Sequence, residues 1–383
     1  MLSSRLEFDA AENDLTTLLA EKRRAVATVL DLTESNPTRV GIAYPEGWAS
    51  ALAGPGSSAY DPSPRGLPAA RAAVAGYYAE RGVLVEPESV LLCASTSEAY
   101  ALLLKLLCDP GDAVLGPQPG YPLLDPIAAL EGVRLGRYPL RFDGAWRIDV
   151  GALAARIDAR SRAVVLVHPN NPTGTFVKRA DLEALQELAA RHALALISDE
   201  VFAEYAFAPS PERVGVVAAE ASVPCFSLGG LSKLCGLPQV KVGWIVAGGP
   251  PVARDRLLRG LEHVNDAYLS CTGPAQHALA ELLPLRHTVG AAIAARVRDN
   301  RAWLLCSGAD VLPAEGGWYA VLRLPPGLAD ETFALDLLAH DEVLVHPGYF
   351  YDFDEPCFVV VSLLPEPTSF HEGISRLLAR VAG

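Results

Sequence analysis

The middle of the chain alternates short apolar runs with longer amphipathic stretches. The apolar runs are five or six residues long and lie at 89–93, 113–117, 163–167, 193–198, 224–228 and 242–247. Between them, residues 97–107 and 180–193 carry apolar side chains at helical spacing. Strands that are apolar throughout and alternate with helices are typical of a largely parallel sheet with helices on both faces. The pattern therefore predicts an α/β fold.

The two ends of the chain have a different pattern of apolar and polar residues. A long helix is expected at about 288–306, and strand-like segments follow at 318–324 and 358–364. We therefore expect a large domain over residues 46–284. A smaller α+β domain would be built from residues 1–45 together with residues 285–383.

Polar residues directly follow five of the predicted strands. In chain order these are residues 94–97, residues 119–121, residues 168–174, Asp199 and residues 229–233. Ligands of parallel sheets bind beyond the carboxyl ends of the strands. The pattern thus predicts one binding site at this edge of the sheet.

Composition narrows the range of partners. The net charge of −13 over 383 residues disfavours nucleic acids and anionic membranes. No apolar run approaches the roughly 18–20 residues that span a bilayer, and the polar, acidic start predicts no signal peptide. Seven cysteines are scattered singly without a CxxC pair. They indicate reduced thiols in a cytoplasmic protein, with no disulfide framework and no metal site.

Six segments, most of them directly after predicted strands, carry a family resemblance. They are YDPSPRGLPAAR (60–71), STSEAY (95–100), PQPGYP (117–122), HPNNPTG (168–174), SDEVF (198–202) and SLGGLSKLCGLPQVKVGW (227–244). Together they resemble the class I/II aminotransferases among the fold-type I pyridoxal-phosphate enzymes, over nearly the whole chain. The resemblance implies a mostly parallel, seven-stranded type of sheet between helices in the large domain. It also implies pyridoxal 5'-phosphate (PLP) as the cofactor.

The resemblance assigns the central chemistry to three residues. Lys233 would hold the cofactor as a Schiff base, and its freed amine would move the substrate proton as a general base. Asp199 would keep the pyridine nitrogen protonated, which lets the ring draw electrons from the breaking bond. Asn171 would bond the cofactor's ring oxygen and lie beside the substrate. The alternatives are a surface lysine, a helix N-cap and an Asn-Pro turn.

Further residues would complete the cofactor site. Tyr121 would lie against the cofactor ring, although ordinary packing is an alternative. The start of the helix after the first predicted strand would bind the phosphate through its free N–H groups. The alternative is that the same residues only cap the helix. The phosphate residues implied by the resemblance are Ser95, Thr96, Ser97, Ser232 and Lys241. Lys241 stands where the family more often has arginine, so it offers a point charge in place of a two-pronged contact.

The resemblance also implies a second subunit. Tyr60 would reach the phosphate of the neighbouring subunit's cofactor. We therefore expect a homodimer with its active sites at the interface. The other partners would be a small amino acid and a 2-oxo acid.

The chain departs from the family pattern at Phe202. A tyrosine usually stands three residues after the aspartate, and its hydroxyl stabilises the anionic ring oxygen of the cofactor. Phenylalanine has no hydroxyl, so we hypothesise that the Schiff base holds its proton to higher pH than usual. Tyr205 lies nearby and is one possible source of a hydroxyl.

A second departure concerns the substrate carboxylate. The family's tail normally carries an arginine that binds it through two parallel hydrogen bonds. The matching residues here are Val359, Val360 and Val361. Arg39, with Asn36 in the same segment, is our candidate replacement; a surface arginine is the alternative. We interpret His168 and His346 as structural histidines.

The leading interpretation is an aminotransferase that works by a ping-pong mechanism. A carbon–sulfur β-lyase or a decarboxylase of the same fold would use the same lysine and aspartate. A non-catalytic regulatory module that binds the cofactor is a remote alternative. The missing arginine favours these alternatives over an ordinary aminotransferase, but it does not distinguish between them.

Overall fold

The structure is a computed structural model that describes residues 3–6, 13–25 and 28–383. Its strands are β1 Leu30–Asp31, β2 Val90–Cys93, β3 Ala113–Gln118, β4 Arg134–Phe142, β5 Trp146–Ile148, β6 Ser161–Val167, β7 Ala195–Asp199, β8 Cys225–Gly230, β9 Gly243–Gly248, β10 Tyr319–Arg323, β11 Val343–Leu344, β12 His346–Pro347 and β13 Phe358–Ser362. Its α-helices are α1 Asp14–Arg24, α2 Pro68–Glu80, α3 Thr96–Leu107, α4 Leu124–Leu130, α5 Val150–Ala154, α6 Arg179–His192, α7 Val217–Glu220, α8 Leu231–Leu234, α9 Pro251–Asp266, α10 Gly273–Leu282, α11 Val289–Cys306, α12 Asp330–Asp341 and α13 Pro367–Ala382.

The main sheet has eight strands in the order β2-β9-β8-β7-β6-β3-β4-β5. The neighbours from β8 to β4 run parallel, whereas β9 is antiparallel to both β2 and β8, and β5 is antiparallel to β4. All six predicted strands are present, and the predicted α/β class is confirmed. The sequence analysis missed β4 and β5, where charged and apolar residues alternate near an edge of the sheet.

Both faces of this sheet are covered, which explains the continuous apolar runs. In β6, Val165 packs in a cluster with residues of α3, α4 and α9. Its neighbours Val164 and Leu166 belong to the core on the opposite face, together with residues of α2 and α6. Because successive strand residues point to opposite faces, a strand buried on both sides must be apolar throughout.

A second, smaller sheet lies in the tail of the chain. Its three antiparallel strands have the order β10-β13-β12, and α11, α12 and α13 belong to the same part of the chain. The N-terminal strand β1 pairs with β11, and α1 packs against α12. The described N-terminal residues thus pack with the tail of the chain. Residues 1, 2, 7–12, 26 and 27 of that expected domain lie outside the described residues.

Within the described ranges, no helix combines the length and the apolar character that crossing a bilayer requires. Over the same residues, no group of three His, Cys, Asp or Glu side chains is arranged to hold a metal ion.

Candidate active site

A cavity of about 280 Å³ opens at the carboxyl edge of the main sheet. Parallel strands β3, β6, β7 and β8 all end there, so the residues that follow them converge. The cavity brings together nine of the residues predicted from the sequence. They are Ser95, Thr96, Ser97, Tyr121, Asn171, Asp199, Ser232, Lys233 and Lys241.

Lys233 lies in the short helix α8, which directly follows β8. Its Nζ atom is 5.0 Å from the ring centre of Trp318 and 5.7 Å from that of Phe202. Burial among these rings lowers the pKa of the Lys233 amine, and the negative charge of Asp199 opposes that shift. A lower pKa leaves more of the amine neutral at pH 7. A neutral amine can act as a nucleophile and a base.

Asp199 ends β7 with its side chain at the cavity. Tyr100 donates its hydroxyl hydrogen to Oδ2 at 3.1 Å, and the backbone N–H of Val201 donates to Oδ1 at 3.2 Å. Burial raises the pKa of Asp199 to about 6, while these two donors and Lys233 oppose the rise. The carboxylate is thus held in place for a cationic partner within the cavity.

Asn171 presents a polar atom without a partner. It is 6% exposed and lines the cavity in the turn after β6. Among the described residues, its buried Oδ1 atom has no hydrogen-bond partner. A buried amide without partners costs free energy. A ligand with a polar group at this position would satisfy the side chain.

The start of α3 forms one wall of the cavity. Ser95 caps this helix, because its Oγ atom accepts a hydrogen bond from the Glu98 N–H at 3.2 Å. The capping alternative is therefore correct for the Ser95 side chain. Thr96 and Ser97 open the helix, so their N–H groups have no carbonyl one turn earlier to bond. With Lys241 at the same cavity, this wall suits an anion such as a phosphate.

Three predicted residues lie outside the cavity of this single chain. Tyr60 is 82% exposed and lines a separate depression near Asn265. Arg39 is exposed. Asn36 is half-buried, and its Oδ1 atom accepts hydrogen bonds from the N–H and the hydroxyl of Thr38 at 3.0 and 2.8 Å. The Asn36 side chain is thus occupied by its own turn.

The contacts of Tyr205, the tail valines and His168 bear on further predictions from the sequence. The hydroxyl of Tyr205 donates to the backbone carbonyl of Lys233 at 2.6 Å, so the suggestion that Tyr205 supplies a hydroxyl to the cofactor is wrong. The three valines of the tail are fully buried in β13, between β10 and β12. His168 is buried, and both its ring nitrogens bond backbone groups, those of Val214 and Val177. The structural interpretation of His168 is confirmed.

Four polar residues that line the cavity were not predicted from the sequence: Ser35, Tyr100, Arg137 and Tyr319. Tyr100 lies in a quoted motif, but only the folded helix shows that it reaches Asp199. Arg137 lies on the missed strand β4 and forms ion pairs with Asp125 and, at 2.7 Å, with Asp352. Tyr319 begins β10 of the small sheet, which sequence patterns do not connect to the cavity.

Comparisons with known proteins agree with this geometry. The family described as aminotransferase class I and II matches residues 28–366. The alanine aminotransferase of Mycobacterium tuberculosis is 28% identical over 363 residues, which cover 91% of this chain and 84% of that protein. The glutamate-pyruvate aminotransferase AlaA of Escherichia coli is 26% identical over 331 residues, with 83% of this chain and 82% of that protein covered.

Solved structures extend the agreement to the fold. The alanine aminotransferase from Pyrococcus furiosus superposes with a TM-score of 0.89 at 22% identity, and all of both chains is covered. An aminotransferase from Escherichia coli gives a TM-score of 0.87 at 24% identity, with 100% of this chain and 98% of that chain covered. The family match spans most of the chain and includes every residue of the cavity. The chain belongs to the class I and II aminotransferases and catalyses amino-acid transamination.

Proposed function

We propose that the cavity holds PLP, the cofactor of this family, covalently on Lys233. The carrying observation is that Lys233 and Asp199 line one small cavity and influence each other's pKa. The amine would attach the cofactor at one end of its ring, and the carboxylate would bind the nitrogen at the other. Asn171 lines the same cavity, and its Nδ2 group would donate a hydrogen bond to the cofactor's ring oxygen.

Each residue then has a separate task. PLP supplies an electron sink for the bond that breaks at the substrate's α-carbon. Asp199 keeps a proton on the ring nitrogen, and Tyr100 orients its carboxylate. Lys233 Nζ would accept the proton from the substrate's α-carbon as a general base and then donate it as a general acid. The N–H groups at the start of α3, with Ser232 and Lys241, bind the phosphate.

The substrate pairs are proposed by analogy with the relatives. The relatives described above are named for alanine and for glutamate-pyruvate transamination. We propose that alanine with pyruvate and glutamate with 2-oxoglutarate are the substrate pairs. They would react in turn by a ping-pong mechanism.

The assembly would be a homodimer. Tyr60 is largely exposed on one chain, which suits a side chain that completes the partner's phosphate site. Arg39 is also exposed, and its proposed contact with the substrate carboxylate is tested by Arg39→Ala.

The large domain would span residues 46–284, with both ends of the chain forming the small one. Singly placed, free cysteines support a cytoplasmic location.

The test uses the protein loaded with PLP and challenged with one amino acid at a time, without any 2-oxo acid. We expect alanine to yield one equivalent of pyruvate, with the cofactor absorbance changing to that of the amine form. Glutamate should yield one equivalent of 2-oxoglutarate. Pyruvate and ammonia that accumulate from cysteine conjugates, with an unchanged cofactor band, would instead establish a β-lyase.

Two lysine variants make the test specific. Lys233→Ala should abolish both the absorbance band of the lysine-bound cofactor and the conversion of amino acids to 2-oxo acids. Lys178→Ala is the matched control, because Lys178 lies outside the cavity and forms an ion pair with Glu315. A Lys233→Ala protein that retained the band would contradict the proposal.

A further inference from the structure

The cavity contains a phenol that the family pattern does not predict. Phe202 lines the cavity where the resemblance implies a tyrosine, and its ring has no proton to donate. Tyr319 lines the same cavity from the small sheet. The two rings meet edge to face, with their centres 6.2 Å apart and an angle of 89° between their planes. Tyr319 thus places a phenol ring directly against Phe202 in the same cavity.

The Tyr319 side chain is fixed in place. It is 7% exposed, and its backbone pairs with Ser362 of β13. The side chains of Ser35 and Asn171 lie close enough to its hydroxyl to lower its pKa. Asn171 is also the residue expected to bind the cofactor's ring oxygen, so Tyr319 lies beside that expected position.

The surroundings keep this hydroxyl protonated. Burial raises the pKa of Tyr319 to about 12, although Ser35 and Asn171 oppose the rise. The ionisable groups near it are Glu34, Tyr121 and Tyr351. A neutral phenol at pH 7 is a hydrogen-bond donor.

Other phenols near the cavity are already engaged or directed elsewhere. Tyr100 donates to Asp199 at 3.1 Å, and Tyr205 donates to the Lys233 carbonyl at 2.6 Å. Tyr121 is 46% exposed and is the proposed platform for the cofactor ring. Tyr319 is the phenol whose hydroxyl lies beside Asn171.

We propose that Tyr319 donates a hydrogen bond to the ring oxygen of PLP, in place of the tyrosine missing at position 202. This inference rests on the proposed function, because it requires the cofactor on Lys233. It replaces the hypothesis that the Lys233–cofactor linkage holds its proton to unusually high pH. A donor to the ring oxygen stabilises the anionic oxygen and so favours loss of the linkage proton.

The experiment is a pH titration of the cofactor absorbance in the PLP-loaded protein without substrate. In Tyr319→Phe we expect the midpoint to rise by about one to two pH units, the equivalent of one hydrogen bond to a charged group. The dissociation constant of PLP, followed by fluorescence quenching, should rise several-fold. Tyr351→Phe is the matched control, because Tyr351 is buried nearby and bonds His346 outside the cavity. Its midpoint should match that of the wild type.

A rescue variant locates the hydrogen bond. Phe202→Tyr added to Tyr319→Phe should return the midpoint towards the wild-type value, because it restores a hydroxyl at the family position. An unshifted midpoint in folded Tyr319→Phe would overturn the inference, and so would a double variant that keeps the raised midpoint. These results differ from failure of the proposed function, in which the wild type itself would show no titrating band.

Discussion

Asp199 and Glu200 are consecutive carboxylates at the end of one strand, yet they serve different regions of the molecule. Asp199 faces the cavity and interacts with Tyr100 and Lys233. Glu200 is 6% exposed and does not line the cavity. It accepts hydrogen bonds from the Ser227 hydroxyl at 2.6 Å and the Val217 N–H at 3.0 Å. One carboxylate faces space for a ligand, and the other is enclosed by protein.

The comparison teaches that a shifted pKa does not by itself mark an active site. Burial raises the pKa of Asp199 to about 6 and that of Glu200 to about 7. The two pKa values are raised by similar amounts, although one of the two residues does not line a cavity. Only Asp199 combines its shift with a nearby buried amine and room for a reacting group. Function is therefore assigned from the geometry around the carboxylate.

The largest expected effect is on turnover. Asp199→Asn should lower kcat by about 10²- to 10³-fold, because the neutral amide cannot stabilise the protonated ring nitrogen. Glu200→Gln is the matched control and should keep kcat within about twofold. Steady-state rates at saturating PLP measure both. Equal losses in the two variants would remove the distinction between the carboxylates.

The next effect concerns stability and pH. The pKa of Glu200 is raised in the folded protein, so its contribution to stability is complete below about pH 4.5 and is lost as pH rises towards about 7. The loss is about 3 kcal/mol. Glu200→Gln should lack this dependence, so its free energy of unfolding relative to the wild type should rise between pH 4.5 and 8.

Urea titrations at several pH values measure this difference. Glu187→Gln is the control, because Glu187 is exposed on α6. It should follow the wild type at every pH. A Glu200→Gln protein whose stability stayed parallel to that of the wild type would contradict the assignment of a protonated Glu200.

The smallest effect concerns the orientation of Asp199. Tyr100→Phe removes the donor to Oδ2, so the pKa of Asp199 should rise further. We expect the acidic limb of the kcat profile to move up by about one pH unit, the equivalent of one hydrogen bond to a charged group. Tyr138→Phe removes a buried hydroxyl that bonds the Val165 carbonyl, and its pH profile should not move.

The fold was largely predictable because its interior strands are buried on two faces. Residues such as Val164 and Val165 belong to cores on opposite sides of β6, so every position is apolar. Strand β4 gave no such signal, since Arg134 and Arg137 interrupt it near the edge of the sheet. A half-exposed strand near the edge of a sheet resembles a loop in sequence.

The site was predictable only where its residues directly follow strands. Asp199 and Lys233 satisfy that positional rule and lie in the quoted motifs. Tyr100 reaches Asp199 from within a helix, and Tyr319 reaches Asn171 from the other sheet. Such contacts depend on how helices and domains pack. No local pattern around either tyrosine specifies them.

The central claim is that this cavity holds PLP covalently on one particular lysine. The most direct test is to load the protein with PLP, reduce it with borohydride and locate the adduct by peptide mass spectrometry. We predict a phosphopyridoxyl group on Lys233 in one equivalent per chain, with Lys241 in the same cavity unmodified. An adduct on Lys241, or no adduct in folded protein, would contradict the account.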